Sequence, residues 1–240
     1  MNDSVLREKL ATSTRILAMQ GLLGLFGHIS VYQPENKRVF MSPGAGSDKA
    51  TVQGKDILVA DLDGRVLEGK ISLPIEWPIH TTLHGARADA LSVFHLHSPH
   101  ATLFAIARRE FHPVTLQGTM FSDGVPLHTE AQLVKTPEHG QRLAKLIGVK
   151  RAALLRGHGI VVLGRDIEEA LYASLILEDD AHKAMEAAAL GELRTFTAEE
   201  CRDFGADNDL ERRARRAWEY LATLEARWDR QQGTGLGAFA

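Results

Sequence analysis

Between residues 28 and 69 the apolar residues alternate in short runs, and the runs come in pairs joined by turn-forming residues. His28 to Tyr32 and Arg38 to Met41 flank Pro34, Glu35, Asn36 and Lys37, while ILVADL and RVLEG flank Asp63 and Gly64. Runs of period two put alternate side chains on opposite faces, and a two-residue Asp-Gly connection is a strong hairpin signal, so the first third is read as antiparallel strand. Further strands are expected at Ala90 to His97 and, after helical stretches, at Ala152 to Leu155 and Ile160 to Leu163 around Arg156, Gly157, His158 and Gly159. Hairpins interleaved with helices predict an α/β chain with a mixed, largely antiparallel sheet covered by helices. A doubly wound nucleotide fold is disfavoured, because the glycine-bearing loops lack the spacing of a P-loop or a dinucleotide fingerprint.

Helix signals fill the gaps. Ser4 can cap a helix to about Met19 that carries Leu6, Leu10 and Leu17 on one face and stops at Gly21. After Ser72, Pro74 suits a first helical turn, and Glu76, His80 and His84 follow at a spacing of four on one face, with Pro78 blurring the start. Ser98 and Pro99 read as N-cap and N1 of a helix to about Arg109, and Glu138 to Ile147 as another. Asp166 and Glu169 read as a capping box for a helix to about Leu190. An amphipathic helix is expected over about 209–230, followed by a flexible glycine-rich tail, 231–240. With no internal repeat and no long linker, the 240 residues are expected to form a single domain.

Charge narrows the partners. Lys plus Arg total 28 against 31 Asp plus Glu, a net charge of -3, which gives no general drive toward nucleic acid or anionic lipid. One cysteine, Cys201, cannot form an intrachain disulfide. The opening MNDSVLREKL lacks the apolar stretch of a signal peptide, and no run approaches a membrane span, so the expectation is a cytoplasmic protein acting on a small molecule.

The chain spends 11 residues on histidine, and three of them lie within residues 95–100. His95 and His97 are two apart on an expected strand, so their side chains share a face with Cα atoms roughly 6.5 to 7 Å apart and can converge on one ion. A divalent metal usually needs a third protein ligand, and His158, between Gly157 and Gly159, is the natural candidate. An isolated H-x-H is a weak signal; strand-end HLH together with G-H-G and an upstream glutamate is far more specific.

The order PGAGSDKA, VADLDGRVLEG, PIEWPIH, VFHLHSPHAT and LLRGHGIVVLG resembles the class II aldolase/adducin family over roughly residues 5–200. The family includes metal-dependent sugar-phosphate aldolases and epimerases, dehydratases, decarboxylases and the catalytically inert adducin head. The resemblance implies a three-layer α/β/α sandwich, metal ligands at His95, His97 and His158, and an acid/base carboxylate at Glu76. It also implies a cyclic tetramer with active sites near subunit interfaces. One divalent cation per subunit is expected, with zinc preferred and manganese, iron or cobalt also compatible.

Departures from the sugar-phosphate pattern point to the substrate. Those members resemble one another in an asparagine after the glycine matched by Gly27, and in paired serines before the glutamate; here His28, Pro74 and Ile75 stand instead. Proline and isoleucine side chains cannot donate to phosphate. His28 can meet a carboxylate or a phenolic oxygen, or serve as a structural histidine at a strand start. With Gly44, these residues are the expected substrate contacts. The favoured reading is a metal-dependent lyase on a non-phosphorylated hydroxy acid, above all decarboxylation of a hydroxylated aromatic acid. The alternatives are an aldolase or epimerase using the Gly44 to Ser47 loop for phosphate, and an adducin-like interaction module. His80 and His84 read as packing or supporting groups, His100 as bordering the site, and Glu178 with His182 as a solvated helix pair; His112, His128 and Tyr220 are left unassigned.

Overall fold

The computed structural model describes residues 2–206 and 209–233. Seven helices, α1 (Asp3–Met19), α2 (Trp77–Ala86), α3 (Ala101–Ala107), α4 (Pro137–Ile147), α5 (Ile167–Ala188), α6 (Ala198–Ala206) and α7 (Leu210–Gly233), surround one sheet among the described residues. Its strands are β1 (His28–Gln33), β2 (Arg38–Met41), β3 (Leu58–Ala60), β4 (Val66–Glu68), β5 (Ser92–Leu96), β6 (Leu127–His128), β7 (Ala152–Leu155) and β8 (Gly159–Gly164). They lie in the order β4-β3-β2-β1-β5-β8-β7-β6, and every pairing is antiparallel except β6 with β7.

Alternation along the central strands divides the core in two. Phe94 and Leu96 on β5, with Ile160 and Val162 on β8, pack with Leu10 and Leu17 of α1, Ala101 and Ala105 of α3, and Leu171 and Leu177 of α5. Val93, Val161 and Leu163 point the other way, onto Ile79 and Leu83 of α2 and Leu143 and Ile147 of α4. Helices on both faces of a mixed, mostly antiparallel sheet make the three-layer α/β/α sandwich. Each fully buried aliphatic side chain contributes about 1.5–3 kcal/mol of transfer free energy, so both faces are strongly specified. Because a strand alternates, His95 falls with Val93 on the α2 face, and the sheet aims it at the N-terminal end of that helix.

Several expected boundaries move for local reasons. Asn2, not Ser4, caps α1, its side chain accepting from Ser4 N at 3.0 Å. Pro74 lies outside α2: its carbonyl accepts from Trp77 N in a turn, Glu76 takes the N-cap position, and Pro78 sits in the first turn, where its missing N–H has no cost. Ser98 and Pro99 do not open α3, whose N-cap is His100, because a carboxylate from α5 supplies the capping interactions there. Asp166 accepts from Glu169 N, but the Glu169 carboxylate turns to Arg151 and Arg165, leaving half of the capping box. α5 ends at Ala188, α6 was not foreseen, and helix continues from the expected tail's start to Gly233; 234–240 lie outside the described residues.

Candidate active site

Five segments meet at one end of the sheet. β1 begins with His28, which pairs directly across from His95 near the end of β5, and Leu96 is followed by His97. The turn between β7 and β8 carries His158, with Gly157 at φ +61°, a left-handed conformation that suits glycine. Gly159 lets β8 approach β5, since a Cβ there would lie 2.2 Å from the Leu96 carbonyl oxygen. Glu76, at the N-cap of α2, enters from the opposite layer.

The three predicted imidazoles converge. Ring centroids are 5.2 Å apart for His95 and His97, 4.8 Å for His95 and His158, and 5.0 Å for His97 and His158; one nitrogen from each lies within 4.8 Å of the other two. Phe26 stacks on His97 at 5.5 Å. Burial, followed by the neighbouring imidazoles His95 and His158, pushes His97 down to about 4 despite the opposing charge of Glu76. At neutral pH it therefore presents a lone pair.

Glu76 Oε2 stands 3.4 Å from His95 Nε2 and 3.3 Å from His158 Nε2. Its other oxygen accepts from Val134 N at 3.0 Å, so the segment before α4 fixes the carboxylate's orientation. Burial drives its pKa upward, but the His158 and His95 interactions outweigh that and hold the carboxyl well below the usual range. His95 is wholly buried, and its Nδ1 donates to Ile160 O at 3.1 Å, which leaves Nε2 facing Glu76 with no hydrogen-bond partner among the described residues. A buried acceptor facing another acceptor is costly unless a cation or proton donor lies between them. The donor set fits a divalent cation: three imidazoles, with Glu76 within reach and His28, Glu76 and His95 forming an overlapping cluster.

Beside this cluster opens a cleft of about 660 Å³ lined by the other candidates: His28, Gly44, Pro74 and Ile75. Pro74 packs on Gly44, where an added Cβ would come within 3.1 Å of it. Ile75 is 69% exposed and forms the lip with Leu133 and Phe26. Sequence reasoning missed Lys49. This buried side chain donates to Pro43 O at 2.6 Å, Ser47 Oγ at 2.7 Å and Gly44 O, and so props the Gly44 to Ser47 loop from beneath; burial lowers its pKa to about 8. The PGAGSDKA motif contained that residue, but nothing in its spacing revealed that the chain would fold back over it. The Val134 amide carried no sequence signal at all.

Other histidines fall elsewhere. His100 does not line the cleft. It belongs to a half-buried cluster in which Glu178 accepts from the backbone N–H of His100 and Ala101 at 3.0 and 3.1 Å and from Ser98 Oγ, and contacts His100 Nδ1 at 2.6 Å. Glu178 is thus the cap of α3 rather than a solvated partner of His182, which stacks on His100 at 4.0 Å and reaches Glu186 instead. His112 is exposed beside Glu110, His128 is buried on β6, and Tyr220 is 65% exposed on α7.

This fold and this cluster define a class, and the sequence relatives agree: the chain belongs to the class II aldolase/adducin family, the Class II Aldolase and Adducin N-terminal domain matching residues 8–185. It is 29% identical over 239 residues to a 3,4-dihydroxyphthalate decarboxylase of Arthrobacter keyseri, spanning 92% of this chain and 95% of that one. An L-fuculose phosphate aldolase of Methanococcus maripaludis is 27% identical over 67% of this chain and 84% of its own. Among solved structures, an L-fuculose 1-phosphate aldolase superposes with a TM-score of 0.79 at 25% identity, covering 86% of this chain and 97% of that one.

Proposed function

We propose that the protein is a metal-dependent decarboxylase of a hydroxylated aromatic acid, with His95, His97 and His158 holding one divalent cation and Glu76 moving the proton. The observation that carries the reading is the wall of the cleft: Pro74, Ile75, Leu133 and Phe26 line it beside the imidazole cluster, giving an apolar surface where a phosphate would need donors. The relatives named for decarboxylating a dihydroxylated aromatic diacid support the same class.

A cation bound there supplies Lewis acidity toward adjacent oxygens of a catechol-like ring. Glu76 begins as a carboxylate and takes the proton of a substrate hydroxyl. The bond between ring and carboxylate then breaks, its electron pair stays on the ring, and carbon dioxide leaves. Glu76 returns its proton to the vacated carbon, and the phenolate regains one from solvent on release. Val134 N holds the carboxylate in place through both transfers, and the apolar lip keeps water from competing for the carbanionic carbon. Zinc suits an all-imidazole set, with manganese, iron or cobalt as further metals to test, and the family resemblance implies a homotetramer.

An aldolase acting on a sugar phosphate is the second reading, favoured by the solved aldolase structure. It would draw on the Gly44 to Ser47 loop and on Ser72 for the phosphate, since the three Lys49 contacts are spent on that loop itself. The test is carbon dioxide release from 3,4-dihydroxyphthalate and from dihydroxybenzoates, beside cleavage of L-fuculose 1-phosphate. Release from an aromatic acid is expected; cleavage of the sugar phosphate with no aromatic turnover would overturn the reading.

A further inference from the structure

A line of buried side chains runs from His28 at the cleft into the α2 layer. His28 Nδ1 lies 2.6 Å from His80 Nε2; His80 Nδ1 lies 2.6 Å from Ser30 Oγ; Ser30 Oγ lies 2.8 Å from His84 Nε2; and His84 Nδ1 lies 2.6 Å from the Ala90 carbonyl oxygen. All four side chains are at most 4% exposed. Their spacing comes from the fold: Ser30 and His28 are alternate residues on β1, while His80 and His84 are one turn apart on α2.

The direction of this chain is fixed at its far end. A carbonyl oxygen can only accept, so His84 Nδ1 carries a proton. Burial lowers the His84 pKa to about 4, so the ring is neutral near pH 7 and its Nε2 is a lone pair. Ser30 must then donate to His84, in preference to the 3.4 Å contact with Val93 O, and its oxygen accepts from His80 Nδ1. A neutral His80 offers Nε2 as an acceptor, and His28 Nδ1 donates to it. The remaining nitrogen of His28, Nε2, is left unprotonated at the cleft, where His28 clusters with Glu76 and His95.

We propose that Ala90, His84, Ser30 and His80 form a positioning relay that locks His28 in the Nδ1–H tautomer, making its Nε2 an acceptor for a hydroxyl hydrogen of the substrate. The hydroxyl as partner rests on the decarboxylase reading; the locked tautomer does not. Of the two partners expected for His28, the carboxylate is disfavoured, because two acceptors cannot share a hydrogen bond without a proton between them. The phenolic hydroxyl matches. Ser30, His80 and His84 act through His28 and touch no substrate.

The tautomer is read directly from nitrogen NMR of the metal-free protein labelled with ¹⁵N-histidine, near pH 7. His28 is expected with Nδ1 protonated and Nε2 bare in the wild type. Ser30→Thr, which keeps the hydroxyl, should preserve the pattern, and Ser30→Ala should let His28 adopt the other tautomer. A wild-type His28 protonated at Nε2 would overturn the relay, and this measurement needs no variant to fold. For the substrate half, binding of 3,4-dihydroxybenzoate and of unsubstituted benzoate to the metal-free protein is compared. Wild type should prefer the hydroxylated acid by roughly 10-fold, with Ser30→Ala narrowing the gap and Ser30→Thr restoring it. Equal preference in wild type and Ser30→Ala would overturn the hydroxyl contact. Carbon dioxide release, scored separately, decides the decarboxylase reading: a locked tautomer without turnover leaves the relay standing and removes that reading.

Discussion

Two clusters on opposite faces of the sheet are built from the same residue types. On one face Glu178 meets His100, on which His182 stacks; on the other Glu76 meets His95 and His158, with His97 beside them. Around Glu178, both carboxylate oxygens receive hydrogen bonds from backbone N–H groups and the Ser98 hydroxyl, so the charge neutralises the start of α3. Around Glu76 only one oxygen has a backbone donor, and the other faces His95 Nε2 across 3.4 Å, beyond a good hydrogen bond. The contrast teaches that composition does not mark a reactive site; unmatched polarity does. A carboxylate that completes a helix terminus is spent, whereas buried acceptors aimed at one another require something from outside the chain.

The largest effect that would sharpen this contrast is on turnover. Glu76→Gln should retain the metal and lose activity by on the order of 100- to 10,000-fold, as for removal of a general acid or base. Glu178→Gln should leave kcat and metal content unchanged. If the two substitutions cost similar activity, the distinction between the clusters fails.

Stability against pH comes next. Burial depresses His84 to about 4, below its unfolded value of 6.5, so the unfolded chain binds more protons throughout that window. The contribution is fully present above about pH 6.5 and is lost as pH falls toward 4, by at most about 3 kcal/mol. Denaturant midpoints measured at pH 7, 6, 5 and 4 should fall accordingly, and a flat profile would mean that the relay side chains are not held neutral. Lys49 acts with the same sign on the alkaline side: its pKa is lowered from 10.5 to about 8, so unfolded protein binds more protons between those values and stability should rise as pH is raised from 8 toward 10.5. Equal slopes for wild type and Lys49→Met across that interval would contradict its buried placement.

The smallest effect is on α3. Glu178→Ala should destabilise the fold by about 1–2 kcal/mol through loss of a helix cap, read from urea midpoints at constant slope. An unchanged midpoint would remove the capping role.

Much of this was legible in the chain, and what was not has a common cause. The β1–β2 and β3–β4 hairpins follow from alternation and turn residues, which are local. His95 and His97 declared themselves through strand parity, and His158 through its flanking glycines. The role of Glu178 was hidden because its donors lie about 80 residues earlier, and Ser98 with Pro99 made a convincing local cap that the distant carboxylate displaced. The relay was hidden for the same reason: His80 and His84 showed their shared helix face, but Ser30 joins them only once β1 is packed beneath α2. Lys49 and the Val134 amide depend on loop paths that no periodicity encodes. The start of α2 was misplaced for a nearer reason, since either Pro74 or Pro78 satisfies the first-turn rule and the turn closed by Trp77 N selects the second.

The central claim is that the facing acceptors at Glu76 and the three histidines hold one divalent cation. Elemental analysis of protein purified without chelator, in wild type and His95→Ala, tests it most directly. The account predicts about one ion per chain in the wild type, held by His95, His97 and His158, and a near-complete loss in the variant with its circular dichroism intact. Equal metal content in the two proteins would contradict it.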